Sequence, residues 1–144
     1  RPSMSEILVN KLTGTSTAGS ILVTGEGNST TTNLQQGLAK AWASFDQTST
    51  GHPVDDSFNV ASTTDLGGGT TKISFSNTMS NANYSTSGGA QTDGFNSTTF
   101  GLVGRRTDNG EQMTTANFTT NNRNVGGGDN DTAYVGFVAH GDLA

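Results

Sequence analysis

What most constrains this chain is a shortage of apolar residues in a sequence that is nonetheless patterned for strands. Gly, Ser, Thr and Asn supply about half of the 144 residues, and apolar residues only 30%. An ordinary globular domain carries roughly 45–50% on a count that also includes Gly. So polar a chain either stays disordered or shares a core with copies of itself. Short runs of alternating apolar and polar residues, closed by Gly, Asn and Asp, argue against disorder. The expectation is an all-β chain that pools apolar surface between copies. No cysteine is present, so neither disulfides nor thiolate metal sites can replace the missing core. Oligomerisation is the expected substitute.

Charge and hydropathy exclude several classes. The net charge of −5 argues against nucleic-acid binding. No run of about 18 apolar residues offers a membrane-inserting helix. No basic segment followed by an apolar one reads as a signal peptide. Arg1, Pro2 and Ser3 precede Met4, which reads as a short remnant before a native start.

The chain reads as two parts. Residues 4–36 form an N-terminal β stalk or trimerisation segment. It holds a weak repeat, with Ile7-Leu8-Val9 and then Ile21-Leu22-Val23, each followed by a polar turn. A three-residue strand of this kind is marginal alone, whereas three chains wound together could close a narrow prism around it. The other reading is a pair of edge strands on the main domain. Residues 37–144 form the head. The stretch before it, Asn33 to Gly37, suits one helical turn, and Gly37 reads as the junction. From Leu38 the pattern alternates, with Leu38, Lys40, Trp42 and Ser44 on one face and Ala39, Ala41, Ala43 and Phe45 on the other. Further strands are expected at 57–65, 70–77, 81–88, 98–106, 112–120 and 133–140. About seven strands at near-even spacing predict an antiparallel β-sandwich or jelly-roll-like head. The last strand, with Tyr134, Val135, Phe137 and Val138, is the least polar and belongs at the centre of a sheet or at an interface between copies.

Several stretches resemble the C-terminal head of bacteriophage tail-fibre proteins, in a pattern common in marine phage fibres. They are Gly37-Leu38-Ala39-Lys40-Ala41-Trp42, Ser57-Phe58-Asn59-Val60-Ala61-Ser62, Phe75 with Met79-Ser80-Asn81-Ala82-Asn83-Tyr84, and the closing Val135-Gly136-Phe137-Val138. The opening Ser5 to Leu12 is similar to the short strand that begins many such fibres. The resemblance covers residues 4–88 and is weak from Gln91 to Asp131. It implies a homotrimer on a virion, attached through its N-terminal segment to other virion proteins. The head would bind a host-cell surface glycan or protein. A decoration or connector protein on the phage head or tail is the alternative. A polysaccharide-degrading spike is a third.

No catalytic motif is present and no cofactor is implied. The Asp55-Asp56 pair is the nearest thing to a glycosidase dyad, but neighbours on a strand point to opposite faces, whereas that reaction needs two carboxyls facing one bond. Gly126 to Asp131 lacks the acidic spacing of a calcium loop and reads as a solvated turn, as does Asn121-Asn122-Arg123. Trp42 and Tyr84 are expected in the core.

If each strand reverses the last, the loops 47–56, 78–83 and 107–111 and the C-terminus share one tip. Recognition sits on loops of a rigid scaffold, so the candidate receptor-binding residues are His52, Asp55, Asp56, Asp108, Asn109, Glu111, His140 and Asp142. Loops 66–69, 91–97 and 122–130 would face the stalk. Both histidines are expected at the surface. Three copies of one histidine about a trimer axis could hold a divalent metal, although no metal site is assigned.

Overall fold

The computed structural model describes residues 7–14, 21–24, 29–90, 99–102, 113–124 and 128–144, with backbone alone at 99–102 and Asn124. The chain divides into two units, Arg1–Gly37 and Leu38–Ala144.

In the first unit, β1 (Leu22–Thr24) pairs antiparallel with β2 (Thr31–Asn33). One helical turn follows, α1 (Leu34–Gly37). Asn33 caps it: the side-chain oxygen accepts from the backbone N–H of Gln35 at 2.8 Å and of Gln36 at 3.2 Å, satisfying donors that a helix start leaves open. Of the two repeats, only the second forms a strand. Residues 7–14 carry none. Ile7, Leu8, Val9, Leu12, Leu22 and Val23 are all exposed, Ile7 by 84%.

The described residues of the second unit form eight strands: β3 (Ala41–Phe45), β4 (Val54–Phe58), β5 (Val60–Asp65), β6 (Thr70–Phe75), β7 (Ser85–Ala90), β8 (Thr99–Leu102), β9 (Asn117–Asn124) and β10 (Val135–His140). They form two antiparallel four-stranded sheets, ordered β4-β3-β10-β7 and β5-β6-β9-β8. The apolar β10 lies inside its sheet, between β3 and β7.

The alternation holds with period 2 from Ala41 to Phe45, whereas Lys40, expected on the face of Trp42, is buried beside Ala41. Ala41, Ala43 and Phe45 are buried, while Trp42 is on the opposite, outer face. Trp42 is therefore not a core residue, contrary to expectation. Tyr84 is one. The sandwich interior is apolar at one end and polar at the other. Phe75, Tyr84, Phe118 and Phe137 pack edge-on or tilted, with centroids 4.9–6.3 Å apart, the offset geometry that aromatic quadrupoles favour. Moving along β6 and β9, the inward positions change from Phe75, Ile73 and Phe118 to Thr71, Thr120 and Asn122, all buried. The head thus closes an interior within one chain, filling half of it with hydrogen-bonded polar groups.

One corner decides the layout. The segment expected as a single strand, 57–65, is two strands in different sheets, turning at Asn59. This residue is left-handed, with φ of 57°, a conformation Asn tolerates better than most residues. Its side chain fixes the corner, donating to the Lys40 and Asn77 carbonyls (both 3.0 Å) and accepting from the Asn77 N–H (2.7 Å). The corner adds one reversal that simple strand counting misses, so the described loops after it change ends. Residues 38–40 mark the near end, where the chain enters the head; 78–83 and 140–144 lie with them. Ser80 N donates to Asp142 O, and Lys40 N to Ala139 O. Loops 46–53, 66–69 and 128–134 gather at the far end.

Candidate functional site

The far end is built on a buried polar knot. Gln47 is its centre: the side-chain amide donates to the Gly69 carbonyl (3.1 Å) and to Thr71 Oγ1 (2.9 Å), and its oxygen accepts from Asn122 Nδ2 (2.6 Å). Asn122 donates again, to Thr132 Oγ1 (3.1 Å), and the Gln47 N–H donates to the Thr132 carbonyl (2.9 Å). Because a carbonyl can only accept, Gly69 O sets which way round the Gln47 amide sits. Thr71 Oγ1 lies 2.7 Å from His52 Nδ1, and His52 Nε2 lies 3.4 Å from Asp65 Oδ1. All groups are used when Thr71 donates to Nδ1 and the imidazole proton sits on Nε2, facing Asp65. A buried network of this kind holds its loops firmly when every member is satisfied.

Three loops are thereby tied to one another. Gly69, with φ of 64°, receives Asn122 N–H on its carbonyl (2.7 Å) and gives its own N–H to Asp131 Oδ1 (2.6 Å). Asn130 N–H donates to the Asn122 carbonyl (3.1 Å). Arg123 Nε reaches Asn121 Oδ1 and Asp129 Oδ1, both at 3.0 Å, a partly exposed ion pair of modest value. In the β3–β4 loop the Asp46 carboxylate accepts from the Thr48 hydroxyl, the Ser49 hydroxyl and the Thr48 N–H, each at 2.7 Å. These bonds, the Thr48 hydroxyl first, hold its carboxyl below the ordinary value. Above this scaffold Leu66, Asp65, Arg123 and Tyr134 are exposed, Tyr134 by 57%. The arrangement offers an aromatic ring, both charge signs and several hydroxyls on strand ends and loops joined by hydrogen bonds.

The sequence-predicted residues do not converge. His52 belongs to the far end but is 1% exposed, so it is a structural member of the knot and not a surface histidine. His140 and Asp142 lie at the opposite, near end, because β10 runs from Val135 beside Phe45 to Ala139 beside Ala41. The two histidines are thus separated by the length of the sheet. Asp55 and Asp56 sit on β4. The pairing shifts between Ser44 and Phe45, and this bulge breaks the expected alternation. Asp56 falls opposite Ser44, while Asp55 Oδ2 lies 3.5 Å from Ser44 Oγ. Both carboxylates are exposed and border the outer face. Asp108, Asn109 and Glu111 lie outside the described residues, as does loop 91–97. Among the described residues no cluster of three metal-ligating side chains occurs.

Sequence reading missed Gln47, Gly69, Asn122, Asp131 and Tyr134 as members of one assembly. Asn121 to Arg123 are in β9, not in a loop. The usable signal was parity: Phe118, Thr120 and Asn122 share one face of a strand, so an apolar residue at 118 implied a buried Asn at 122.

Compared with known proteins, the chain matches no family model, no curated protein and no solved structure.

Proposed function

We propose that this protein is a homotrimeric, virion-attached fibre or spike that binds a bacterial surface receptor, a glycan by preference, through the far end of its head. The supporting observation is the contrast between the two units. The head closes its own interior, while six of the eight large apolar residues described in the first unit stay exposed, Ile21 and Leu34 being half-buried, a state that soluble chains relieve by association. Virion attachment rests on the resemblance of residues 4–88 to phage fibre heads. Receptor binding rests on the far-end loops, which are anchored and lie away from the chain's entrance to the head. Three weak sites on one rigid particle gain avidity through effective concentration.

The test combines mass and binding. Light scattering should give three times the 14.8 kDa chain mass. Labelled protein should bind host cells saturably, and soluble surface glycan should compete. Retention on virions without cell binding would point to a decoration or connector protein. Release of sugar from host polysaccharide would point to an enzyme.

A further inference from the structure

The outer face of the β4-β3-β10-β7 sheet carries an apolar strip that the second unit itself leaves open. Trp42 stands opposite Phe58 on one side and Val138 on the other. Trp42 and Phe58 are 37% and 50% exposed. Neighbouring strands are about 4.8 Å apart, so the three side chains form one continuous band. Beside it Gly136 places no side chain on the face, and a shallow depression of about 430 Å³ is lined by Ala43, Ser87, Gly88, Gly136, Phe137 and Val138. Asp55 and Asp56 border the band on β4.

The same chain carries a segment of matching chemistry. Residues 7–12, Ile-Leu-Val-Asn-Lys-Leu, expose four large apolar side chains and bear a single charge, Lys11. The whole net charge of −5 resides in the second unit, since the first holds Arg1 and Lys11 against Glu6 and Glu26. We propose that residues 7–12 of one copy dock on the Trp42–Phe58–Val138 strip of another, with Lys11 facing Asp55 and Asp56. This rests on the self-association in the proposed function and specifies its contact. Area argues for a closed ring: one short segment on one strip buries less than the roughly 800 Å² per partner of a stable interface, and in a ring every copy gains two such contacts, one through its arm and one through its strip. Each copy therefore gives one arm and receives one, and the ring closes. The band is consequently reserved for self-assembly, and receptor contacts fall to the far-end loops.

Trp42 is the only tryptophan and no cysteine is present, so the full-length chain carries its own reporter. Acrylamide quenching of its fluorescence is measured across a dilution series, with mass followed in parallel by light scattering. Quenching should drop at least about twofold as copies associate. Leu8→Asp, at an exposed arm position, should keep Trp42 quenchable at concentrations where the parent is protected. Lys11→Glu should raise the midpoint concentration about tenfold, and adding Asp56→Lys should restore it. Association with Trp42 still fully quenchable would overturn the docking while leaving trimerisation intact. Protection of Trp42 in a confirmed monomer would mean that the chain's own arm covers it, and would overturn exchange. Absence of association at any concentration would remove both this contact and the assembly it rests on. Failure of Asp56→Lys to restore Lys11→Glu would overturn the assigned charge pairing.

Discussion

Replacing Gln47 tests whether polar groups hold the far half of the head together. Gln47→Met keeps the length of the side chain and its unbranched shape but deletes all three of its side-chain hydrogen bonds. Each former partner retains another: Gly69 O keeps Asn122 N–H, Thr71 Oγ1 keeps His52, and Asn122 Nδ2 keeps Thr132. The cost is then the net value of three bonds, about 1 kcal/mol each, and not the full penalty of stranded groups. A loss of about 3 kcal/mol is expected, a large part of the 5–15 kcal/mol typical of a domain. In thermal terms it lowers the midpoint by roughly 10–20 °C for a domain of this size. Urea unfolding followed by Trp42 fluorescence and circular dichroism, at one fixed protein concentration, measures it. Gln47→Glu should be worse still, because it removes the donors and buries a charge. A loss under about 1 kcal/mol for Gln47→Met, with an unchanged denaturant slope, would refute the claim that the knot stabilises the far end.

Four further outcomes follow from single residues. Thr119 is buried and its hydroxyl has no partner among the described residues, so Thr119→Val should stabilise by about 1 kcal/mol in the same urea assay. Gly69→Ala places a methyl 2.8 Å from Asn130 N at a positive φ; it should cost roughly 2–4 kcal/mol and raise hydrogen exchange in 128–132. Burial pushes the Tyr84 hydroxyl up to about 12 from 10.0. Its contribution is complete below about pH 10 and lost as pH rises through 12; Tyr84→Phe, which also loses the 2.9 Å bond to Asn117 O, should unfold without that alkaline step. The Asp46 carboxyl is held below its ordinary 3.8, so its contribution is present above that value and lost as pH falls beneath it. Wild type and Asp46→Ala should therefore converge in stability in acid.

Strand and face assignments were legible where period 2 ran unbroken. Ala41, Ala43 and Phe45 turn inward as their spacing requires, and the low polarity of Val135 to Val138 marks a central strand. The helical turn before Gly37 was legible too. The candidate site was not legible. Phe58 and Val60 keep the alternation going across Asn59, so the pattern carries no sign that the chain turns there into the other sheet. That one reversal separates His52 from His140 and brings loop 66–69 to the β3–β4 loop. The bulge at Phe45 hides in the same way, because Asp55-Asp56 has no apolar period to break.

By itself, the order of residues determined the chemistry available to this protein: an all-β chain without cysteine, short of apolar side chains, with an N-terminal segment whose isoleucine, leucines and valines have no core of their own. Those properties follow from composition and local spacing, which act over a few residues. Only the tertiary structure decided which polar residues would be interior. Gln47, Thr71, Asn122 and Thr132 are ordinary surface types in sequence, and their burial became tolerable because folding set each donor opposite an acceptor from a distant strand. A hydrogen bond between residues 75 positions apart depends on where two sheets meet, and local sequence holds no record of that distance.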